Sequence, residues 1–256
     1  LWSALCDALG GERARIMTAL DHPPQTNEVR RSVVLIALGH WLAARFDLPL
    51  VLSELGASAG LNLLWDRYGL ALGTARRGMP DAALVLGTDW DGPLPPETQP
   101  VVVARAGVDL APLDPVADRL RMLSYVWPDQ PDRRARMEAA MTIARDMPVQ
   151  VDRADAAEWL VTRLARPFAG ALHLVCHTIA WQYFPTERQA RAQAAFEAAG
   201  RRATAQAPLA WFGMEADAGA GEGAALRLRL WPGDLRIDLG RADFHGRWVR
   251  WTAPPP

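Results

Sequence analysis

The sequence contains no lysine. All 28 basic residues are arginine, and 29 acidic residues balance them to a formal net charge of −1. No lysine can therefore serve as a Schiff base or as a catalytic ammonium group. The near-zero net charge argues against a nucleic-acid partner, because nucleic-acid-binding domains carry an excess of basic residues.

Cysteine and long hydrophobic runs are also scarce. Cys6 and Cys176 are far apart and belong to no CxxC motif, so neither a disulfide framework nor a metal site is predicted, and a reducing cytoplasmic location is expected. Charged residues interrupt the hydrophobic runs, none of which approaches the ~20 residues that span a bilayer. No signal peptide is recognised, and no membrane partner is expected. The oligomeric state stays open.

Buried strands alternate with helices along most of the chain. Continuous apolar runs without polar alternation, typical of strands covered on both faces, predict strands near 48–52, 101–108, 149–152, 171–176 and 208–214. Helical spacing between these runs predicts helices near 29–46, 116–126, 132–146, 155–160 and 186–204. Alternating leucines and charged residues around Pro232-Gly233 predict a C-terminal antiparallel hairpin. The order favours one open, mostly parallel sheet flanked by helices.

The pattern also divides the chain. Residues 1–47 are predicted to form an N-terminal helical segment packed on the core, and residues 48–256 an α/β domain. A Pro/Gly-rich insertion at 70–100 interrupts that domain and is interpreted as a hairpin. The turn at 23–25 is expected to end the opening segment, with Thr26 or Asn27 capping the helix that follows.

The strongest motif is Glu54-Leu-Gly56-Ala57-Ser58-Ala-Gly60-Leu-Asn62, between a strand and a helix. In such sheets ligands bind beyond the carboxyl ends of the strands. Gly56 allows a tight turn that lets backbone amides approach a ligand, and Gly60 lets the next helix pack on the sheet. Glu54, at the strand's end, is suited to hold an ammonium group. Neither GxGxxG nor a Walker motif is present.

This motif resembles motif I of class I S-adenosylmethionine-dependent methyltransferases, which are Rossmann-like. The resemblance implies S-adenosylmethionine as cofactor, with Gly107-Val-Asp109 as the second strand, whose acid binds the ribose hydroxyls. Asp155 resembles the acid that meets the adenine amino group. The resemblance further implies that the last strand of the sheet inserts antiparallel. Glu54, Gly56, Ala57, Ser58, Gly60, Asn62, Asp109 and Asp155 are the predicted cofactor residues.

Seven segments along the chain resemble a bacterial family of unknown function that is thought to be methyltransferase-like. They are Pro24-Gln-Thr-Asn-Glu28, the 54–62 motif, Asp66-Arg-Tyr68, Arg105-Ala-Gly-Val-Asp109, Val126-Trp-Pro-Asp-Gln130, Trp231-Pro-Gly233 and His245-Gly-Arg-Trp248-Val. Two features depart from the methyltransferase pattern. Ser58 replaces the usual middle glycine, and Asp109 lies far beyond Gly60, which makes Asp89 a competing candidate for the ribose acid.

Candidate substrate residues follow the fourth and fifth predicted strands. His177 is the candidate base, with a structural role as the alternative, and Tyr183 is the second candidate catalytic residue. The aromatic rings of Trp181 and Tyr183 could stack on a planar acceptor, although core packing is the default interpretation for Trp181. The candidate substrate-binding residues are Asn27, Glu28, Thr178, Gln182 and Glu215, with plain helix capping as the alternative for Asn27 and Glu28.

Three functions are compatible with these residues. The first is a methyltransferase acting on a small-molecule acceptor. The second is a non-catalytic or regulatory protein that keeps the fold and binds a ligand. The third is a different Rossmann-like enzyme that uses a nucleotide. In the first, catalysis consists mainly of positioning, and a base is needed only for a protonated acceptor.

Overall fold

The computed structural model describes residues 2–21, 25–219 and 221–256. The α-helices are α1 (Trp2–Gly11), α2 (Arg13–Leu20), α3 (Ser32–Phe46), α4 (Arg119–Ser124), α5 (Pro131–Asp146), α6 (Ala156–Arg163) and α7 (Thr186–Gly200). Short 3-10 helices cover Val29–Arg31, Leu61–Arg67 and Trp181–Tyr183.

The strands form one large and one small sheet. They are β1 (Leu50–Leu55), β2 (Gly69–Leu72), β3 (Ala75–Gly78), β4 (Val85–Gly87), β5 (Asp89–Asp91), β6 (Val102–Asp109), β7 (Val151–Arg153), β8 (Leu172–Thr178), β9 (Leu209–Glu215), β10 (Ala224–Trp231), β11 (Leu235–Ala242) and β12 (Trp248–Trp251).

Five parallel strands in the order β7-β6-β1-β8-β9 form the centre of the large sheet. Helices α3 and α5 pack on one face, and α6 and α7 on the other. Strands β1 and β8 are buried along their whole length because both faces are covered, which explains their unbroken apolar sequences. The α/β class, the mostly parallel sheet flanked by helices and the C-terminal antiparallel hairpin are thereby confirmed.

The C-terminal part of the sheet differs from the arrangement that the methyltransferase resemblance implies. Strands β9, β10, β11 and β12 follow one another as an antiparallel meander, so no late strand inserts between earlier ones. The outer edge is β5, which pairs in parallel with β12. In the expected arrangement the last strand inserts antiparallel, whereas here each connection simply joins neighbouring strands.

Residues 69–91, between the motif and β6, form separate strands. Strands β2 and β3 pair as an antiparallel hairpin, and β4 adds to β2 in parallel, which makes a small three-stranded sheet. His40 of α3 joins this sheet to the core, because its Nε2 accepts a hydrogen bond of 2.8 Å from the amide of Gly78.

The first 47 residues contain two different environments. Residues 32–43 of α3 are all buried in the main core. In contrast, every residue of α1 is exposed, including Trp2 and Leu9. The turn predicted at 23–25 lies mostly outside the described residues, and only Gln25 belongs to them.

Two local expectations need correction. The helix predicted to follow the motif is a seven-residue 3-10 helix with a kink at Leu64, rather than an α-helix. Strand β6 is buried only at Gly107 and Val108, and its first half is largely exposed. The apolar residues of that half had indicated a fully covered strand, but Val101 and Val103 are each 59% exposed.

Candidate functional site

A cavity of about 520 Å³ lies beyond the carboxyl ends of β1, β6 and β8. Its volume is within the range of small-molecule sites, and its position is where open α/β sheets bind ligands. Most of the predicted cofactor residues line it together, from three separate parts of the chain: Glu54, Gly56, Ala57, Ser58, Asn62, Asp109 and Asp155. Gly60 does not line the cavity; it packs against Val151 of β7.

The backbone amides of the loop 56–60 are all used within the chain. The amides of Gly56 and Ala57 donate to the carbonyl of Val108, at 2.9 and 3.0 Å. Ser58 N donates to Asp109 Oδ2, Ala59 N to Asn27 Oδ1, and Gly60 N to Ala57 O. The expectation that this loop presents free amides to a ligand is therefore wrong, and the loop is not a phosphate cradle.

Ser58 adopts the backbone conformation that a glycine would have at its position. Its φ is +51°, in the left-handed region, between Gly56 and Gly60, whose φ values are +71° and +69°. A serine pays about 1 kcal/mol or more for this conformation. Its Oγ is buried and has no hydrogen-bond partner among the described residues. Ser58 thus adds an unsatisfied polar atom to the cavity.

Asp109 connects the loop, its own strand end and the N-terminal segment. Its Oδ2 accepts the hydrogen bond from Ser58 N at 2.9 Å, and its Oδ1 accepts from Ala111 N at 2.9 Å and from Gln25 Nε2 at 3.2 Å. Gln25 also lines the cavity. The competing candidate, Asp89, lies in β5 at the far edge of the sheet. Of the two acids, Asp109 is the one at the loop.

Asp155 is the N-cap of α6. Its Oδ1 accepts from the amides of Ala157 and Glu158, at 2.9 and 3.1 Å, and its Oδ2 lies 3.5 Å from Arg188 Nε. The amide of Ala156 has no acceptor among the described residues. Asp155 and this amide together offer an acceptor and a donor at the cavity wall.

Glu54 is the most perturbed acid of the cavity. It is 2% exposed, and its Oε2 has no hydrogen-bond partner in the part of the chain that the structure describes. Burial raises the pKa of Glu54 to about 8; the charge of Arg31 opposes the rise and that of Asp109 adds to it. A cationic group from a ligand would supply the missing partner.

Arg31 is a cavity residue that the sequence analysis missed. It is 7% exposed, and its Nε and Nη1 donate to the carbonyls of Phe244 and Thr178 at 2.9 and 3.0 Å. Burial lowers the pKa of its guanidinium, and the charges of Glu28, Glu215 and Glu54 oppose that effect. Its position in the sequence could have indicated this role, because Arg31 lies one turn after the candidate residue Asn27 and at the start of an otherwise apolar helix.

The predicted substrate residues divide between the cavity and other places. Asn27, Thr178 and Tyr183 line the cavity. Glu28 is buried outside it: its carboxylate caps Val29–Arg31 through Arg30 N and lies 2.9 Å from Arg133 Nε. Gln182 is exposed and does not line the cavity.

His177 and Glu215 lie in a neighbouring cavity of about 590 Å³, between α7 and β9–β11. Trp211 Nε1 donates to His177 Nε2 at 2.9 Å, so the ring proton is on Nδ1, which lies 2.7 Å from Glu215 Oε1. Both ring nitrogens of this buried histidine are therefore engaged, and neither is available to take a proton from a substrate. This arrangement matches the structural role of His177, which was the alternative to its role as a base.

Glu215 also binds the strand end of β8. Its Oε1 accepts from the amides of Ala180 and Trp181, at 3.0 and 3.1 Å. Burial raises the pKa of Glu215, but the hydrogen bonds from His177 and from these amides outweigh it, and the net shift is downward. These bonds fix the segment after Thr178, in which Ile179 has a φ of +52°. A β-branched residue in that region is strained.

A family model described as "uncharacterized protein conserved in bacteria" (DUF2332) matches residues 1–251. The chain belongs to the DUF2332 family. No curated protein and no solved structure matches it. The prediction of a bacterial family of unknown function is confirmed by this match, whereas the likeness of the DUF2332 chain to methyltransferases stays a prediction.

Two further properties of the DUF2332 chain concern membranes and metals. Within residues 2–21, 25–219 and 221–256, no helix is long and apolar enough to cross a bilayer. Within the same residues, no three or more histidine, cysteine, aspartate or glutamate side chains are grouped as metal ligands. His173, which shares a face of β8 with His177, instead contacts Ser53 Oγ through Nε2 at 2.8 Å.

Proposed function

We propose that the chain is an S-adenosylmethionine-dependent methyltransferase that acts on a small-molecule acceptor. The observation that carries the proposal is the meeting of Glu54, Asp109 and Asp155 in one cavity beyond three strand ends. These acids match the ammonium, ribose and adenine amino groups of the cofactor, all of which are hydrogen-bond donors. The unpartnered Oε2 of Glu54 and Oγ of Ser58 fit a ligand that brings donors and acceptors.

S-adenosylmethionine supplies an electrophilic methyl group bound to a sulfonium. The chain's residues would bind and orient it: Asp109 at the ribose, Glu54 at the ammonium group, and Asp155 with the amide of Ala156 at the edge of the adenine. Thr178 and Tyr183 remain for the acceptor, on the wall that the end of β8 forms. Orientation of the acceptor is the main contribution expected of a protein to methyl transfer.

The internal bonding of the loop 56–60 argues against a phosphate group bound at this loop. Phosphates bind where backbone amides or a helix N-terminus face the ligand. Here the amides point to Val108, Asp109, Asn27 and Ala57, and the helix that follows is a short 3-10 helix. The carboxylate of Asp109 would further repel a phosphate group.

The hydrogen bonds at both ring nitrogens of His177 affect the choice between a methyltransferase and a non-catalytic ligand-binding protein. Because neither of its nitrogens is free, a base for a protonated acceptor is lacking at that position. This favours an acceptor that needs no deprotonation, or else a ligand-binding protein without turnover. Assays with a panel of small-molecule acceptors distinguish these two cases once cofactor binding is established.

The test is calorimetric titration of the full chain with S-adenosylmethionine, S-adenosylhomocysteine, NAD and ATP. We expect binding of the first two alone. Asp109→Asn should weaken binding of S-adenosylhomocysteine about 10- to 100-fold, since hydrogen bonds to a charged group contribute about 1.5–3 kcal/mol.

The matched control is Asp146→Asn, because Asp146 is largely exposed and lies outside the cavity. It should leave the affinity unchanged. Binding of NAD or ATP in preference to S-adenosylhomocysteine, or no binding of either sulfur compound, would overturn the proposal.

A further inference from the structure

We propose that Glu54 and Arg31 form an amino-acid clamp, in which Glu54 binds the α-ammonium group and Arg31 the α-carboxylate of the ligand. This inference rests on the proposed function and assigns to Arg31 a role in determining specificity. It names the zwitterionic end of the ligand as the part that the cavity selects.

Arg31 is held in a fixed orientation with donor capacity left over. The carbonyls of Phe244 and Thr178 accept from Nε and Nη1, which fixes the plane of the guanidinium. Its Nη2 has no hydrogen-bond acceptor in the ranges that the structure describes, and the residue lines the cavity. A planar guanidinium with free donors is the group that proteins most often use to bind a carboxylate.

Glu54 and Arg31 do not form an ion pair with each other. Both are buried in the wall of the same cavity, yet no ion pair within 4.0 Å joins them among the described residues. Buried polar groups, charged or neutral, normally have a partner. A ligand that carries an ammonium and a carboxylate on one carbon atom would satisfy both side chains at once.

The clamp predicts which ligands the cavity rejects. An amine without a carboxylate leaves Arg31 unpaired, and a neutral thioether nucleoside leaves both side chains unpaired. A buried polar group that loses its partner costs much more than the absence of an attractive contact. Discrimination therefore depends on the amino-acid end of the ligand, even though the nucleoside accounts for most of its volume.

The experiment compares three ligands by calorimetry on the full chain. They are S-adenosylhomocysteine, its decarboxylated analogue, and 5′-deoxy-5′-methylthioadenosine, which lacks the amino-acid end. We expect the wild-type chain to bind S-adenosylhomocysteine at least about 100-fold more tightly than either of the others.

Two variants and a matched control assign the effect to single residues. In Arg31→Gln the preference for S-adenosylhomocysteine over the decarboxylated analogue should fall to about threefold or less. In Glu54→Gln the decarboxylated analogue should bind no better than methylthioadenosine. Arg188 lines the same cavity but pairs with Asp155 and Glu158, so Arg188→Gln should change the affinity of all three ligands by a similar factor.

Equal binding of S-adenosylhomocysteine and its decarboxylated analogue by the wild-type chain would refute the clamp and leave the proposed function standing. So would an Arg31→Gln chain that folds and keeps the wild-type preference. If Arg31→Gln does not fold, the comparison of the three ligands on the wild-type chain still tests the clamp. If S-adenosylhomocysteine does not bind at all, the clamp and the proposed function are both wrong.

Discussion

His177 and Glu215 form a hydrogen-bonded pair across the ends of β8 and β9, with 2.7 Å between Nδ1 and Oε1. Trp211 donates to the other ring nitrogen, and the amides of Ala180 and Trp181 donate to the same glutamate oxygen. One carboxylate therefore organises a histidine and the backbone segment that forms a wall of the cavity. The pair acts on the site through the position of that segment.

Replacing Glu215 should weaken the fold in a pH-dependent way. Because the folded-state pKa of Glu215 is lowered, its contribution to stability is fully present above its ordinary pKa of 4.5 and is lost as the pH falls through the folded-state value. We expect Glu215→Gln to lower the free energy of unfolding by about 1–2 kcal/mol at pH 7. The difference from the wild type should shrink below about pH 4.5.

Urea denaturation followed by tryptophan fluorescence measures this effect at a series of pH values. Glu187→Gln serves as the control, since Glu187 is 82% exposed, and it should match the wild type throughout. A Glu215→Gln chain as stable as the wild type at pH 7 would show that the pair does not hold the segment.

Glu54 should give the free energy of unfolding a pH dependence opposite to that from Glu215. Its folded-state pKa of about 8 exceeds the ordinary value of 4.5, so the folded chain keeps a proton that the unfolded chain loses between these two values. The free energy of unfolding therefore falls as the pH rises from about 4.5 to 8. The charge of Arg31 limits this rise in the pKa of Glu54, and that of Asp109 increases it.

In the Glu54→Gln variant, this fall in the free energy of unfolding with rising pH should be absent. Since one unit of pKa corresponds to about 1.4 kcal/mol, the variant should gain roughly 2–4 kcal/mol on the wild type between pH 5 and pH 8. Denaturation at these two pH values provides the measurement. Equal pH dependence of variant and wild type would mean that Glu54 is ionised with a partner in the folded chain.

Ser58→Gly should stabilise the chain. Glycine adopts the left-handed conformation of this position without steric cost, and the change also removes the buried, unpartnered Oγ. We expect a gain of about 1 kcal/mol, measured as a rise in Tm of about 2–4 °C.

The control for Ser58→Gly is Ser124→Gly, at the end of helix α4, where the backbone is helical and glycine is unfavourable. That variant should lower the Tm. A lower Tm for Ser58→Gly as well would indicate that Ser58 Oγ has a stabilising role in the folded protein.

The sequence predicts the central sheet well because its signals are local. The apolar runs of β1 and β8 and the Gly56–Gly60 turn each depend on neighbouring residues, and covered parallel strands leave a direct trace in composition. The resemblance to methyltransferases supplies the predicted cofactor residues, and strand ends that follow such runs meet at one edge of the sheet.

Contacts between segments that are distant in the sequence cannot be predicted from such local patterns. The separation of His177 from the cavity depends on Trp211 and Glu215, which lie on the next strand. The role of Arg31 depends on carbonyls at Thr178 and Phe244, 147 and 213 residues away. The internal bonding of the loop 56–60 likewise requires the carbonyl of Val108, which no local pattern indicates.

The pairing of β5 with β12 has a consequence for the order of assembly. Residues 89–91 find their partner only at residues 248–251, so during synthesis on the ribosome this edge cannot form before residue 248 has been made. Contacts between residues so far apart in sequence are slow to form. The five parallel strands of the centre all end by residue 215, so their pairings can form earlier. Loss of residues 248–251 would leave β5 without its neighbour, although none of these residues lines the cavity.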